Sequence, residues 1–381
     1  MNTVISASCN RKIAAVTVVL TLFGWNMAAS AQWTASNTSH AWSGYNNTFL
    51  FTNSSGHDQF RVKEGSTSTP TSTWESAEEI ELAVDAYSWA QTYDSSNLST
   101  YSSEITSLVN GFNDDFPNWW TGSSNQWDDD IMWATIAFTR AYQVVHTSAW
   151  LTEAEDAFNM VYSRGHASNG GIYWNSQCEA SCSSWYENSP ANWTFVIAGH
   201  LIYNNNGDTG NYKTEADSVF NWASSALYNS STGEVYDGYK AAGVQTADYS
   251  YNYGTAIGAA MEHGSEAAMI TNIANYAMND LAAYQGTVGG YKILLDYDAS
   301  EDGADGGGFN GILMRWLYVA SVHGYISSTA EAWSRANINQ AWSIRNSSEL
   351  MWDNWMSSSP SSGLYSWDCS SAMVGMFNWQ Q

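Results

Sequence analysis

The sequence predicts an all-α protein built of paired helices, an (α/α)6 toroid. Three observations carry that expectation. Eleven segments between residue 72 and the C-terminus show apolar residues at helical rather than alternating spacing. The segments between them are loops marked by Gly, Asn and Asp, such as ASNGGIYWNSQCEASCSSWYENSP and NNNGDTGNYK. Only 4 prolines interrupt the chain, and strand-like alternation is nearly absent. Eleven segments and one overlooked helix would complete six pairs, whereas no fixed-period repeat marks a solenoid.

Taken in order, residues 1–31 read as a leader. Arg11 and Lys12 precede the apolar run IAAVTVVLTLFGWNMAA, which ends in the small-x-small pattern Ala29-Ser30-Ala31. That run of about 17 residues is short for a membrane span, and no later segment is apolar enough for one. The expectation is a secreted chain starting at Gln32, with no lipid-anchor tail in SAMVGMFNWQQ. Residues 32–72, rich in Ser, Thr, Asn and Gly, read as an irregular or short-stranded extension. Residues 73–381 then form a single catalytic domain, since no linker divides them.

The first helical segment, STWESAEEIELAVDAYSWAQ, starts with Ser and Thr, carries acids in its first turn, and spaces Ile80, Leu82, Ala83, Ala86 and Tyr87 helically. Similar patterns place helices at 99–113, 128–146, 150–164, 189–204, 211–227, 252–263, 266–284, 308–324, 329–342 and 364–377.

Composition narrows the partner. With 37 acidic against 12 basic residues, the net charge of −25 repels nucleic acid and anionic membrane surfaces. The chain carries 21 Trp and 23 Tyr. Aromatic faces that stack on sugar rings, among carboxylates and amides that bind hydroxyls, suit a neutral polysaccharide; large aromatics also simply fill cores. Once Cys9 leaves with the leader, Cys178 and Cys182 are placed for a local disulfide and Cys369 for a buried thiol. Neither the cysteines nor the 7 scattered histidines have metal-ligand spacing, so no metal or cofactor is expected, nor is a partner chain: the protein reads as a monomer. DYDASEDGADGGG at 296–308 lacks calcium-loop spacing and reads as a solvated loop, with Asp305 its member best placed to reach a helix mouth. Sequons stand at Asn37, Asn46, Asn53, Asn97, Asn192, Asn229 and Asn346, so a glycosylating host would make this a glycoprotein.

The chemistry-bearing stretch is QWDDDIMW, residues 126–133, three acids between two tryptophans at a helix start. Acids there commonly cap the helix and compensate its dipole. Asp129 and Asp130 also flank the stripe Trp133, Ala137, Ala141, and an inward stripe would put both at the inner rim. A helix N-terminus favours one ionised carboxylate, whose charge keeps its neighbour protonated, the pairing that glycoside hydrolysis uses. Spacing alone leaves the cap ahead of the enzyme.

QWDDDIMWATIAFTRAY resembles the signature of glycoside hydrolase family 76, the endo-α-1,6-mannanases. SNGGIYWNSQ, ENSPANWTFVIAGHLIY, YSYNYGTAIGAA and DGGGFNGILMRWLYVA resemble further family segments, in the family's order. The resemblance implies a retaining hydrolase acting on α-mannan, with Asp129 as nucleophile and Asp130 as acid/base. It implies substrate contacts from Trp127, Asp128, Trp133, Tyr173, Trp174, Tyr251, Asn252, Asp305, Phe309 and Asn310. Asp128 stands where the family usually has an aromatic residue, and Asn310 where many members have Lys. Tyr173 and Trp174 suit stacking on a sugar or packing over the barrel end equally, and Asn252 is also an ordinary cap. Arg315, two turns into its helix, reads as a structural ion-pair partner. Transfer to a sugar acceptor, as expected of fungal wall members of the family, and carbohydrate binding without catalysis are the competing functions.

Overall fold

The computed structural model describes residues 32–380, apart from 122–124, 176–184, 265, 282–283 and 298–302. The expected leader and the expected Cys178–Cys182 bridge lie outside the described residues. Cys369 is a buried free thiol.

Twelve α-helices occur among the described residues: α1 (Ala35–Phe49), α2 (Thr73–Tyr93), α3 (Leu98–Asp115), α4 (Asp128–Val145), α5 (Ser148–Gly165), α6 (Ser189–Asn205), α7 (Tyr212–Ala226), α8 (Ser250–Gly264), α9 (Ala267–Asn279), α10 (Phe309–Val322), α11 (Ser328–Ser343) and α12 (Ser366–Asn378). The even-numbered helices form the inner ring. Each packs on the next, from α2 through α4, α6, α8 and α10 to α12, and α12 closes on α2. The odd-numbered helices lie outside, each against one or two inner neighbours. This is an (α/α)6 toroid.

The extension read as irregular or short-stranded at 32–72 does hold short strands, but a helix, absent from that expectation, precedes them. It contains α1, the twelfth helix, followed by the hairpin β1 (Leu50–Thr52) and β2 (Asp58–Phe60), paired Leu50 to Phe60. Serine and asparagine lower the helix propensity of residues 35–49 and hide the pattern. Packing overrides propensity: Thr38, Ala41, Trp42, Tyr45 and Phe49 form one buried face at helical spacing. Thr34 and Asn37 close a capping box at its start. Trp42 meets Phe377 of α12 edge-on at 5.4 Å, so the N-terminal helix completes the outer layer against the last inner one. The predicted helix 266–284 also overran. It stops at Asn279, and the hairpin β6 (Tyr284–Val288) and β7 (Tyr291–Leu294) follows.

Inner helices are covered on nearly all sides, so burial extends around most of their circumference. Ser189–Ile202 of α6 and Ser366–Phe377 of α12 are buried at every residue. Where α10 meets α12, glycine is required: a Cβ on Gly308 would lie 1.9 Å from the Trp367 indole.

Charge is nonetheless retained in the interior. Arg315 of α10 reaches across to α2, placing Nη1 2.7 Å from Glu78 Oε2 and Nε 2.8 Å from Asp85 Oδ2. Arg140 of α4 pairs with Glu81 and, at 2.7 Å, with Asp85. Arg315 is thus an ion-pair partner in the core, as its depth in the helix predicted.

Three short strands complete the scaffold: β3 (Glu187–Asn188), β4 (Gly238–Lys240) and β5 (Gly243–Gln245), a sheet in that order with Asn188 opposite Gly238. Together with the loops before α4 and α8, this sheet stands at the end of the toroid where the inner helices begin.

Candidate active site

A cleft of about 700 Å³ opens at that end of the ring. Its lining residues come from the starts of α2, α4, α8 and α10 and from the loop segments around them, Asn188 being the cap of α6. Helix N-termini carry partial positive charge, so several of them turned toward one cleft favour anionic groups there.

Asp129 and Asp130, in the first turn of α4, both face the cleft. Asp129 is 9% exposed. Its Oδ2 accepts from the Asn188 amide at 3.1 Å, and its Oδ1 accepts from the Asp130 backbone N–H, also at 3.1 Å. Burial raises the Asp129 carboxyl to about 7, opposed by these donors. Asp130 is half-buried and has one long contact, from the Asn125 amide at 3.4 Å. Burial and then the Asp129 charge push it well above the ordinary carboxyl range, with Asp305 and Glu75 adding in the same direction. The two neighbours thus differ in the way acid/base pairs differ: the better solvated by hydrogen bonds ionises first, and its charge holds the proton on the other.

Aromatic rings form the walls. Trp127 and Trp174 lie 4.5 Å apart on one part of the rim. Phe309 stacks on Tyr251 at 3.9 Å, with Tyr249 and Tyr297 edge-on or tilted beside it. Trp74 sits between Trp133, at 6.1 Å, and Phe309, at 6.3 Å, and its indole N–H donates to Asp305 Oδ1 at 3.3 Å. Trp174 and Tyr249, each 36% exposed, present free ring surface. Among the described residues no group of three or more His, Cys, Asp or Glu could hold a metal ion.

Of the residues the sequence proposed, Asp129, Asp130, Trp127, Trp133, Trp174, Tyr251, Asp305 and Phe309 line this cleft. Four do not. Asp128 is fully buried, and its carboxylate turns away to Arg164 of α5, because successive residues on a helix point about 100° apart. Tyr173, buried, leans on Trp185 at 6.2 Å beneath the rim. Asn252 is buried within α8 and donates to Asp237 Oδ1 at 3.1 Å, so it braces a lining residue. Asn310 is buried between Ser250, whose hydroxyl donates to it at 2.8 Å, and the Leu295 carbonyl. Asn310 is therefore an internal tie rather than a cleft contact. Asn192 is fully buried with its amide bonded to the Ile172 and Asn188 carbonyls, so the folded chain offers no glycosylation site there.

Ser72, Trp74, Tyr186, Asn188, Asp237, Tyr249 and Tyr297 also line the cleft and were not singled out from sequence. Asn188 had a readable signal, since it caps the Ser-Pro start of α6 in the position that Trp127 occupies on α4. Trp74 and Tyr249 stand at helix starts as well. Asp237 sits in a loop and accepts from the Tyr186 hydroxyl and from Asn252, contacts formed only on folding.

One family model matches most of the chain. The model of glycosyl hydrolase family 76 matches residues 27–378. No curated protein matches the chain. Among solved structures, the GH76A α-1,6-mannanase from Salegentibacter sp. HEL1_6 is 21% identical, with TM-score 0.73 over 90% of this chain and 98% of that one. An inactive variant of that enzyme, with two consecutive aspartates changed to asparagine and α-1,6-mannotriose bound, is 20% identical at TM-score 0.73, covering 91% and 98%. Dfg5 from Chaetomium thermophilum in complex with glucosamine is 15% identical at TM-score 0.62, covering 90% and 88%. At these identities the structural likeness establishes the shared fold.

Proposed function

Because this chain belongs to glycosyl hydrolase family 76, we propose that it is a secreted, retaining, endo-acting glycosidase that cleaves α-1,6-mannosidic bonds in mannan. The observation that carries this reading is the adjacent pair Asp129 and Asp130 in an aromatic cleft, one member held by two donors and the other by a single long contact.

In the first step ionised Asp129 attacks C1 of the mannosyl unit while Asp130 gives its proton to the departing glycosidic oxygen, leaving a mannosyl ester. Asp130 then takes a proton from water, which attacks C1 and frees Asp129. Asn188 orients the nucleophile through Oδ2, and its hydrogen bond favours the ionised form. The aromatic walls stack on apolar sugar faces while Asp237 and Asp305 offer acceptors to hydroxyls. A cleft larger than one hexose suits an internal segment of a chain. The mannan specificity draws on the Salegentibacter enzyme, described as an α-1,6-mannanase. Export follows from the leader read at 1–31.

The test is incubation of the purified protein with debranched α-1,6-mannan, followed by chromatography of the products. Manno-oligosaccharides are expected with the anomeric configuration retained; no release from this polymer, with release from another, overturns the linkage assignment. An added glycan acceptor separates hydrolysis from transfer, because a transglycosidase gives elongated products.

A pH profile follows from the pair. Asp129 must be ionised and Asp130 protonated, so kcat/KM is expected to fall as pH drops below about 7 and again at higher pH as Asp130 loses its proton. The two limbs belong to the coupled pair rather than to either residue. A profile flat across both limbs contradicts the assignment.

A further inference from the structure

Arg164, in the last turn of α5, grips the start of α4 with three nitrogens. Nε donates to Asp128 Oδ1 at 2.7 Å, and Nη2 lies 2.5 Å from the same oxygen. Nη1 donates to the backbone carbonyl of Asn125 at 3.1 Å. The Asn125 side chain is fixed in its turn, because its Oδ1 accepts the Trp127 N–H at 2.9 Å. That leaves its Nδ2 aimed at Asp130 Oδ2, 3.4 Å away. The assembly is interior: Asp128 is fully buried, Asn125 is 9% exposed, and the Arg164 side chain is 14% exposed.

A brace between α4 and α5 would need only the Asp128 contact. The second arm, onto the Asn125 carbonyl, is what connects the guanidinium to the cleft. Arginine suits this because its rigid fork holds two acceptors in one plane, which a lysine ammonium does less well. Asp128, fully buried, supplies the anion that fixes the fork.

We propose that Arg164 is a positioning residue for Asp130, holding Asn125 so that its side-chain amide stays hydrogen-bonded to the carboxyl that delivers the proton. This rests on the reading of Asp130 as the acid/base.

The test compares the full chain with Asn125→Ala, Arg164→Met, the double substitution and Asp130→Asn, measuring kcat, KM and pH dependence on α-1,6-mannan. Each single change at Asn125 or Arg164 is expected to lower kcat by about 10- to 100-fold, the scale on which a misplaced catalytic group loses rate. KM is expected to change by less than about threefold, since ground-state binding is untouched. The alkaline limb should move to higher pH, because the Asn125 amide favours ionised Asp130 while Asp129, Asp305 and Glu75, the other groups acting on it, remain. The double variant should be no worse than the poorer single one. Independent, multiplying losses with an unmoved alkaline limb overturn the proposal. If Arg164→Met fails to fold, Asn125→Ala decides alone: an unmoved limb sinks the inference. Full activity in Asp130→Asn would remove the acid/base reading and this inference together, whereas an inactive Asp130→Asn beside an unmoved limb in Asn125→Ala removes only the inference.

Discussion

Asp129→Asn is expected to remove mannan cleavage by at least about 10³-fold, at the upper range for a directly participating carboxyl group. The amide keeps the size of the side chain and can still accept at one oxygen from the Asp130 N–H, so stability should change little while the nucleophile is lost. Asp130→Asn should be as damaging on mannan, whose departing sugar needs a proton. It should be much less damaging, in the first step, on an aryl mannoside whose leaving group departs unprotonated. That asymmetry assigns the roles, and equal losses on both substrates for both variants would contradict them. Asp128→Asn belongs in the same series. Its side chain faces Arg164 rather than the cleft, so its rate should fall far less than that of either neighbour. A variant of Asp128 as inactive as Asp129→Asn would shift the catalytic register by one residue.

The triplet shows where sequence reasoning stops. Three consecutive acids at a helix start point in three directions, and which one meets the cleft depends on helix phase relative to neighbours not yet placed. Arg164 lies 36 residues away from Asp128, and nothing local identifies it as the partner that turns Asp128 away from the cleft. The helices themselves were legible because their apolar spacing is local, but which of them are inner and buried on every side was not, since α2 buries Glu75, Glu78, Glu79, Glu81 and Asp85. α1 escaped because its buried face is diluted by Ser and Asn and acquires meaning only when α12 arrives against it. The aromatic residues at helix starts were partly readable for a geometric reason: in a ring of helices with parallel inner members, all inner N-termini meet at one end. Asn188, Trp74 and Tyr249 follow from the same rule applied more widely. Asp237 and Tyr297 do not, since loops between pairs carry no period that forecasts which side chain returns to the centre.

Replacing Arg315 by Met is expected to cost about 3–5 kcal/mol of stability, the scale for removing one partner from a buried ion pair. The side chain is 3% exposed and is bonded to Glu78 and Asp85 of α2 from the far side of α12. Without it Glu78 has no close cation, while Asp85 keeps Arg140. Burial already raises Glu78 from an ordinary 4.5 to about 8 against the pull of Arg315, so removing the cation moves it further up. A carboxyl raised on folding contributes stability that is complete below its unfolded value and is lost as pH rises toward its folded one. Glu78 stays protonated below about 8 with or without Arg315, so this group's share of the deficit should open only as pH rises above about 8, where the wild-type carboxyl ionises beside its cation and the variant's does not. Asp85 has the opposite sign: its folded value is lowered by Arg315 and Arg140 against burial, so its stabilisation is present at neutral pH and fades in acid. Both effects shrink the penalty on acidification. Urea titrations at about pH 7 and about pH 9.5 measure it, and Glu78→Gln added to Arg315→Met should recover part of the loss at the higher pH by removing a carboxyl that must hold a proton to stay buried without its cation. A deficit independent of pH, or unrelieved by the second substitution, would mean that Arg315 contributes through packing of its aliphatic stem rather than through its charge.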